Sequence, residues 1–187
     1  PGAAYVDMQR TILDLCQRGI VLAICSKNNH DDAMEVIRNH PYMLIQSSHL
    51  AAIKINWIDK VQNLRQISEE LNIGIDSLAF VDDNPAECEL VRRRLPEVTV
   101  IELPEDPMQY AATLRRCPNL ERLTVSEEDH KRGQMYVQQR DRSQLQQAAS
   151  SLEDYYRSLQ MVAEIALINP STLPRVAQLT QKTNQFN

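Results

Sequence analysis

The chain has 187 residues, of which 43% are hydrophobic and 24% are charged, proportions typical of a soluble globular protein. Its net charge is −5 and its pI is about 5.4, so no basic face for nucleic acid is indicated. No apolar run reaches membrane-spanning length, and no signal peptide is visible at the start. Four scattered cysteines without a CxxC motif favour free thiols over disulfides or a zinc site. We therefore expect a cytoplasmic protein that binds neither nucleic acid nor membrane.

Strands and helices alternate along residues 1–118. Apolar residues at helical spacing and polar boundary residues predict helices over 5–17, 31–39, 59–71, 85–95 and 107–116. Short apolar runs predict strands over 20–24, 42–45, 78–81 and 98–101. This alternation predicts an α/β fold, a Rossmann-like parallel sheet covered by helices on both faces in three layers.

The character of the chain changes after about residue 119. A sequence typical of a capping box at Ser126 predicts a long helix rich in Gln and Arg, and a second helix is predicted to open at Ser151. Residues 159–168 fit a strand or a buried helix, and 173–182 fit a helix. We therefore expect a core over 1–118 and a mostly helical C-terminal extension over 119–187.

Two of the predicted strands end in polar sequence, CSKNN at residues 25–29 and DDNPAE at 82–87. In parallel sheets the functional groups lie beyond the carboxyl ends of the strands. Asp82 and Asp83 are adjacent carboxylates that would repel each other unless a cation lies nearby, and their oxygens suit Mg²⁺. The alternative is that Asp83 or Asn84 caps the helix that starts at Pro85.

Ser26 follows one buried strand and precedes a helix, where its hydroxyl and nearby backbone N–H groups could hold a phosphate. The alternative is an ordinary turn serine. Lys60 could neutralise the same phosphate, although it could also be a surface lysine, and Lys54 is a rival for this role. If the phosphate interpretation is right, four side chains converge at one edge of the sheet, namely those of Ser26, Lys60, Asp82 and Asp83.

The order of a strand ending in Ser, then a Lys, then a strand ending in Asp-Asp resembles the haloacid dehalogenase (HAD) superfamily. The strings RGIVLAICSKNN, KINWIDKVQNLRQISEELNIGIDSLAFVDDNPAE, LPEVTVIELPEDP and LTQKTNQFN resemble its FkbH-like branch more closely. The resemblance implies that Ser26 and Lys60 orient a phosphoryl group and that Asp82 and Asp83 hold Mg²⁺. It also implies a glyceryl transferase/phosphatase of polyketide biosynthesis. Such an enzyme takes 1,3-bisphosphoglycerate, removes phosphate and loads glycerate onto the phosphopantetheine arm of an acyl carrier protein.

Cys25 lies beside Ser26 in the turn assigned to the site. The resemblance calls for a cysteine that carries the acyl group, and it places Lys27 and Asn28 beside the substrate. Lys27 and the following helix N-terminus are expected to favour the thiolate. The alternative is that Cys25 is an inert core residue, since free cysteine is often buried.

The sequence departs from the HAD pattern because no two aspartates are separated by one residue, so the nucleophilic D-x-D motif is absent. In the family that motif lies upstream of the segment that opens this chain, and the chain also stops where the family continues. Both ends therefore look cut, and we expect these 187 residues alone to be inactive. We also expect a strand from a stretch outside these 187 residues, or from another chain, between the strands that end at Ile24 and Val81.

Three alternatives to acyl loading remain. The first is a Mg²⁺-dependent phosphatase acting on small molecules, which would not need Cys25. The second is a non-catalytic remnant that only docks partners. The third is a receiver-like signalling domain, which the order of the acidic, Ser and Lys positions along this chain disfavours.

Overall fold

The computed structural model describes residues 2–121 and 127–148, together with residues 156, 157, 162, 167, 172–174 and 176. The helices are α1 (Gly2–Gln17), α2 (His30–Asn39), α3 (Lys60–Leu71), α4 (Pro85–Arg94), α5 (Tyr110–Arg115) and α6 (Glu127–Ala148). The strands are β1 (Leu22–Ser26), β2 (Leu50–Ile55), β3 (Ala79–Asp82) and β4 (Thr99–Glu102). Short 3-10 helices occupy Ser47–His49, Ile75–Ser77, Pro107–Gln109 and Pro118–Leu120.

Local capping explains where several helices begin and end. Gly19, at φ 89°, follows α1 in a conformation that glycine adopts without steric cost. The Asp59 side chain accepts a hydrogen bond from the Gln62 N–H at the start of α3. The Asn84 side chain accepts one from the Ala86 N–H at the start of α4. Asn84 is therefore the cap of α4, and Asp83 is not needed for that purpose.

The strands form two separate parallel pairs. β1 pairs with β2, with Ala23 opposite Ala52 and Ser26 opposite Ile55. β3 pairs with β4, with Asp82 opposite Glu102. We call β1–β2 the first half-sheet and β3–β4 the second half-sheet.

The prediction of an α/β protein with parallel strands is confirmed, whereas one continuous three-layer sheet is not observed. In the described part of the chain each sheet has two strands, and β1 is not paired with β3. Direct pairing of β1 with β3 would have refuted the expected strand between them. That intervening strand stays a prediction.

The predicted strand over 42–45 is wrong, and the sequence interpretation missed β2. The Leu44 and Ile45 N–H groups donate to Oε1 of Gln9 at 2.7 and 3.2 Å, so a helix side chain takes the place of a strand partner. The true strand contains Ala51 and Ala52, and alanine has a low intrinsic preference for strands. The burial that stabilises β2 comes from tertiary packing, which a local reading of the sequence does not reveal.

Helices cover the strands on both faces. In the first half-sheet, Met34 and Ile37 of α2 pack with Leu50 and Ile55. Ile67 and Leu71 of α3 pack against the two alanines of β2 on the other face. In the second half-sheet, Phe80 packs among residues of α3 and α4, and Val81 packs towards α1 and α5. In this layered arrangement the carboxyl ends of β1, β2 and β3 lead to the N-termini of α2, α3 and α4.

The chain divides into two compact units, Pro1–Gln144 and Leu145–Asn187. Within the first unit, Arg140 of α6 donates hydrogen bonds to the backbone oxygens of Ser47 and Leu50. Tyr136 packs against the cluster that contains Ile67. The predictions of a helix opening at residue 151, an apolar segment over 159–168 and a helix over 173–182 concern residues that lie largely outside those described. None of the described helices is long and apolar enough to cross a membrane.

Candidate functional site

The carboxyl ends of β1 and β3 lie on the same side of the molecule. Lys27 follows β1, and its Nζ atom forms an ion pair with Oε1 of Glu87 in α4 at 2.5 Å. Because this contact joins the segment after β1 to the helix after β3, both strands end at one edge, which we call the carboxyl edge. Ser26 ends β1 at this edge, and its backbone oxygen accepts a hydrogen bond from the Asn56 N–H after β2.

A buried ion pair crosses the same edge. Lys60 is the first residue of α3, and its Nζ atom contacts Oδ2 of Asp82 at the end of β3. The two side chains are only 12% and 8% exposed, and the ammonium lies 5.5 Å from the centre of the Phe80 ring. The other oxygen of Asp82 accepts a hydrogen bond from the Asn84 N–H at 2.9 Å. Lys60 is therefore the cation that balances one charge of the Asp-Asp pair.

Asp83 lies in a different environment from Asp82. It is exposed and lies near the hydroxyl of Tyr110, the first residue of α5. Burial, followed by the charge of Asp83, raises the pKa of Tyr110. Asp82, the last residue of β3, contacts Lys60 of α3, whereas Asp83 follows the strand and lies near Tyr110 of α5. This divergence reduces the repulsion between the two carboxylates.

The two aspartates can supply only part of a magnesium site. Their hard oxygens suit Mg²⁺, which prefers six oxygen ligands in octahedral geometry. Asp82 already contacts Lys60, and in the described ranges no group of three or more His, Cys, Asp or Glu side chains is placed to hold a metal. The remaining oxygens would have to come from substrate, water or residues outside those ranges.

Cys25 lies in the same electrostatic environment, but its thiol is not activated in this structure. Burial raises its pKa to about 11. Lys60 and Lys27 act in the opposite direction, while Asp82 and Glu87 add to the increase. Lys27 therefore lowers the pKa of Cys25 as expected, but burial outweighs it, so the thiolate is not the favoured form.

The other candidate residues separate into those near the carboxyl edge and those away from it. Lys54, the rival of Lys60, instead pairs with Glu70 of α3 at 2.7 Å. Asn28 is exposed, and its side chain accepts a hydrogen bond from the Asn29 N–H. Asn29 in turn accepts a hydrogen bond at 3.0 Å from the indole of Trp57, which is 70% exposed. Thus Lys60 rather than Lys54 meets Asp82.

The sequence interpretation missed two residues of this region, Glu87 and Tyr110. Glu87 lies in the quoted DDNPAE string, one helical turn beyond Asp83, so helical spacing could have assigned it to the same edge. Its second carboxylate oxygen is buried without a hydrogen-bond partner among the described residues. No local pattern pointed to Tyr110, because its proximity to Asp83 depends on how α5 packs.

The site groups can bind an anion and a cation together. Lys60 and Lys27 supply positive charge, Asp82 and Asp83 supply oxygen ligands, and Ser26 adds a hydroxyl at the end of β1. A phosphate and a divalent cation are one pair of ligands that this combination of charges suits. Binding of such a ligand pair would replace contacts within the two ion pairs already present, Lys27–Glu87 and Lys60–Asp82.

The comparisons with known proteins agree with this chemistry. One solved structure that matches is the N-terminal part of the protein BF1531 from Bacteroides fragilis, which contains a phosphatase domain and is complexed with Mg. It is 44% identical to this chain, with a TM-score of 0.58 over 60% of this chain and 30% of that one. The match thus spans less than a third of that solved N-terminal part. No protein-family model and no curated protein matches the chain.

Proposed function

We propose that this chain carries the phosphate-binding edge of a Mg²⁺-dependent phosphatase-type domain of the HAD superfamily. The observation that carries the proposal is the buried pair of Lys60 and Asp82 at the carboxyl edge, where β1 ends at Ser26. The 44% identity to a domain described as a phosphatase complexed with Mg supports the same function. The order of Ser, Lys and Asp-Asp along the chain supports it independently.

In this proposal each site residue has a separate task. The Ser26 hydroxyl and the Lys60 ammonium hold phosphoryl oxygens, and Asp82 and Asp83 are the ligands that this chain offers to Mg²⁺. The metal, when bound, neutralises charge on the phosphoryl group. The nucleophilic Asp of a D-x-D motif is absent from the 187 residues. These residues alone should therefore bind phosphate without turning over a phosphate ester.

The first experiment measures inorganic phosphate binding to the chain by calorimetry in the presence of Mg²⁺. Lys60→Met should abolish the binding heat, because it removes the cation at the site. Lys54→Met is the matched control, since Lys54 pairs with Glu70 away from Asp82, and its binding should equal that of the unmodified chain. Equal losses in the two variants would reject the assignment of Lys60.

Mg²⁺ alone should bind weakly, because the described residues supply only two of the oxygen ligands that the ion prefers. Calorimetry with and without phosphate tests this expectation. Tight Mg²⁺ binding that Asp82→Asn abolishes would mean that the ligand set has been misassigned.

The finer function we propose is transfer of glycerate from 1,3-bisphosphoglycerate to an acyl carrier protein through Cys25. The observation that favours it is a cysteine surrounded by Lys60, Lys27, Asp82 and Glu87, next to the proposed phosphate site. The Cys25 thiol would lose its proton to solvent, its sulfur would attack the acyl carbon, the bond from that carbon to the phosphate oxygen would break, and inorganic phosphate would leave, which gives a 3-phosphoglyceryl thioester. Water would hydrolyse the remaining phosphate ester at the phosphatase site, with the nucleophilic Asp of the D-x-D segment present, to release the second phosphate and leave a glyceryl thioester. The thioester would then pass to the phosphopantetheine thiol with little change in energy.

The test of transfer uses a preparation that also contains the D-x-D segment. Phosphate release is measured with and without carrier protein, and intact mass spectrometry follows the glyceryl adduct in Cys25→Ser. Loss of the adduct and of carrier loading supports Cys25 as the acceptor. Normal loading would leave Cys25 as a packing residue, phosphate release independent of carrier would favour a simple phosphatase, and no release at all would favour a docking remnant.

A further inference from the structure

A small pocket lies at the end of the second half-sheet opposite the carboxyl edge. Its volume is about 250 Å³, somewhat below that of pockets for drug-sized ligands. Its walls come from the second half of α3, the end of α4 and the segments that precede β3 and β4. We call it the amino-edge pocket, and its lining residues include Arg65, Ser68, Glu69, Arg94, Leu95 and Glu97.

The apolar part of the amino-edge pocket is held by the core of the second half-sheet. Leu95 is buried in the cluster that contains Phe80 and Val91, and the half-buried Ile75 packs against the same cluster. Pro96 follows Leu95 in the lining, and its ring fixes the backbone there. Core packing therefore fixes this part of the pocket, which offers a small apolar surface to a ligand.

The charged part of the pocket contains both signs, and its charges are not paired with each other. Arg65, Glu69, Arg94 and Glu97 are all exposed. Arg65 and Glu69 are one helical turn apart on α3, a spacing at which opposite charges commonly pair. Nevertheless, none of the four side chains forms an ion pair or a hydrogen bond with another residue in the described part of the chain.

The arginines that precede Arg94 on α4 differ from it in this respect. Arg92 pairs with Glu102 at 2.8 Å, and Arg93 pairs with Glu89 at 2.6 Å. Neither Arg92 nor Arg93 lines the pocket, whereas Arg94 does. A ligand in the amino-edge pocket can therefore contact the Arg94 guanidinium without breaking an existing ion pair.

We propose that the amino-edge pocket binds a free aliphatic α-amino acid. A guanidinium group binds a carboxylate through two parallel hydrogen bonds, so the two arginines hold the α-carboxylate. The two glutamates accept charge-assisted hydrogen bonds from the α-ammonium group. The aliphatic side chain of the ligand covers the apolar surface of Ile75 and Leu95.

The charges of the pocket disfavour simpler ligands. An anion such as phosphate would meet two carboxylates, and it would lie near the C-termini of α3 and α4, where the helix dipole disfavours negative charge. A simple cation would meet two guanidinium groups. The Ser68 hydroxyl already donates to the Ile73 backbone oxygen at 2.6 Å, so recognition falls to the four charged side chains. A zwitterion satisfies both signs at once.

The experiment titrates L-leucine into the 187-residue chain and follows the amide signals by NMR. The amides of Glu69, Ile75 and Glu97 should shift and saturate with a dissociation constant of about 1 mM. The amides of Ser26 and Lys60 should not shift, because they lie at the carboxyl edge. The pocket shares no residue with that edge, so the result is independent of phosphate binding.

Two control ligands test the need for both charges. Isocaproate has the carboxylate and the aliphatic chain of leucine but no ammonium group, and isoamylamine has the ammonium group but no carboxylate. Each should bind about tenfold more weakly than leucine, because each loses one set of charge-assisted hydrogen bonds. Equal binding of leucine and isocaproate would make the pocket a carboxylate site and would overturn the amino-acid assignment.

Two variants test the residues. Arg94→Met should weaken leucine binding about tenfold, whereas the neighbouring Arg93→Met is the matched control and should bind leucine like the unmodified chain. Glu97→Gln should weaken leucine binding but not isocaproate binding, because only leucine carries the ammonium group. Thermal denaturation confirms that the variants are folded. Equal losses for Arg94→Met and Arg93→Met, or no shift at the pocket amides with leucine, would overturn the proposal.

Discussion

The two half-sheets carry opposite charges at the carboxyl edge. The first half-sheet and the helix that follows β2 supply Lys27 and Lys60, whereas the second supplies Asp82, Asp83 and Glu87. Each cation of the first group pairs with a carboxylate of the second. In the described part of the chain, β1 and β3 are not paired with each other. The candidate site is therefore also the electrostatic link between the two half-sheets.

The strongest test of this link is Asp82→Asn, which leaves the Lys60 ammonium buried without its anion. Breaking a buried ion pair from one side is costly, so we expect a loss of about 3 kcal/mol in the free energy of unfolding, measured by urea denaturation. Asp83→Asn is the matched control, because Asp83 is exposed and should lose less than about 1 kcal/mol. Equal losses would mean that Lys60 and Asp82 do not hold the half-sheets together.

The second test compares two alanines that lie side by side on the paired strands of the first half-sheet, Ala23 on β1 and Ala52 on β2. Ala52 is fully buried between α3 and the strands, so Ala52→Val should overpack the core and destabilise by about 2 kcal/mol. Ala23 is exposed, so Ala23→Val should change stability by less than about 0.5 kcal/mol. Thermal denaturation of both variants is the measurement. A large loss for Ala23→Val would show that β1 is enclosed in solution.

The third test concerns the more exposed ion pair. Lys27 and Glu87 retain 33% and 15% side-chain exposure, so solvent screens their attraction. Glu87→Gln should cost less than about 1 kcal/mol, and the loss should shrink further in high salt. The Lys54→Met variant is the control, because Lys54 pairs with Glu70 of α3. Its loss of stability gives the contribution of an ion pair that does not join the two half-sheets. If added salt leaves the Glu87→Gln loss unchanged, the contribution of Glu87 is packing rather than charge.

The sequence predicted those features that depend on local pattern. The helices near residues 5–17 and 59–71 and the strands that end near Ile24 and Val81 follow from apolar periodicity, and the structure has them within a few residues. β2 was missed because its alanines depend on burial against α3, which is a tertiary effect.

The candidate site likewise contains some features that the local sequence predicts and others that depend on tertiary packing. Two polar strand ends of the same direction, and a helix start between them, predicted that Lys60 and the Asp82-Asp83 pair share one edge. The direct contact between Lys60 and Asp82 was not predicted. The position of Tyr110 beside Asp83 and the pairing of Lys27 with Glu87 depend on helix packing across the two halves. The pKa of Cys25 could not be predicted for a related reason, because desolvation depends on the complete set of neighbours rather than on the nearest lysine.

The smallest expected effect is a change in the reactivity of Cys25. It shows whether charged residues from both half-sheets shift the pKa of this thiol. Its pKa of about 11 lies above the ordinary value of 9.0, so the neutral thiol is favoured in the folded state. The resulting stabilisation is complete below pH 9 and is lost as the pH rises through 11.

Alkylation by iodoacetamide requires the thiolate, so the rate at Cys25 should increase about tenfold per pH unit between pH 7 and 10. Peptide mass spectrometry of the folded chain measures that rate, with Cys25→Ser to identify the adduct. Glu87→Gln removes a carboxylate that raises the pKa and should accelerate alkylation, while Lys27→Met removes an ammonium that lowers it and should slow alkylation. A rate that is already constant at pH 8 would mean that the thiolate is present near neutrality. In that case the thiol would be ready for acyl transfer without any rearrangement of the ion pairs around it.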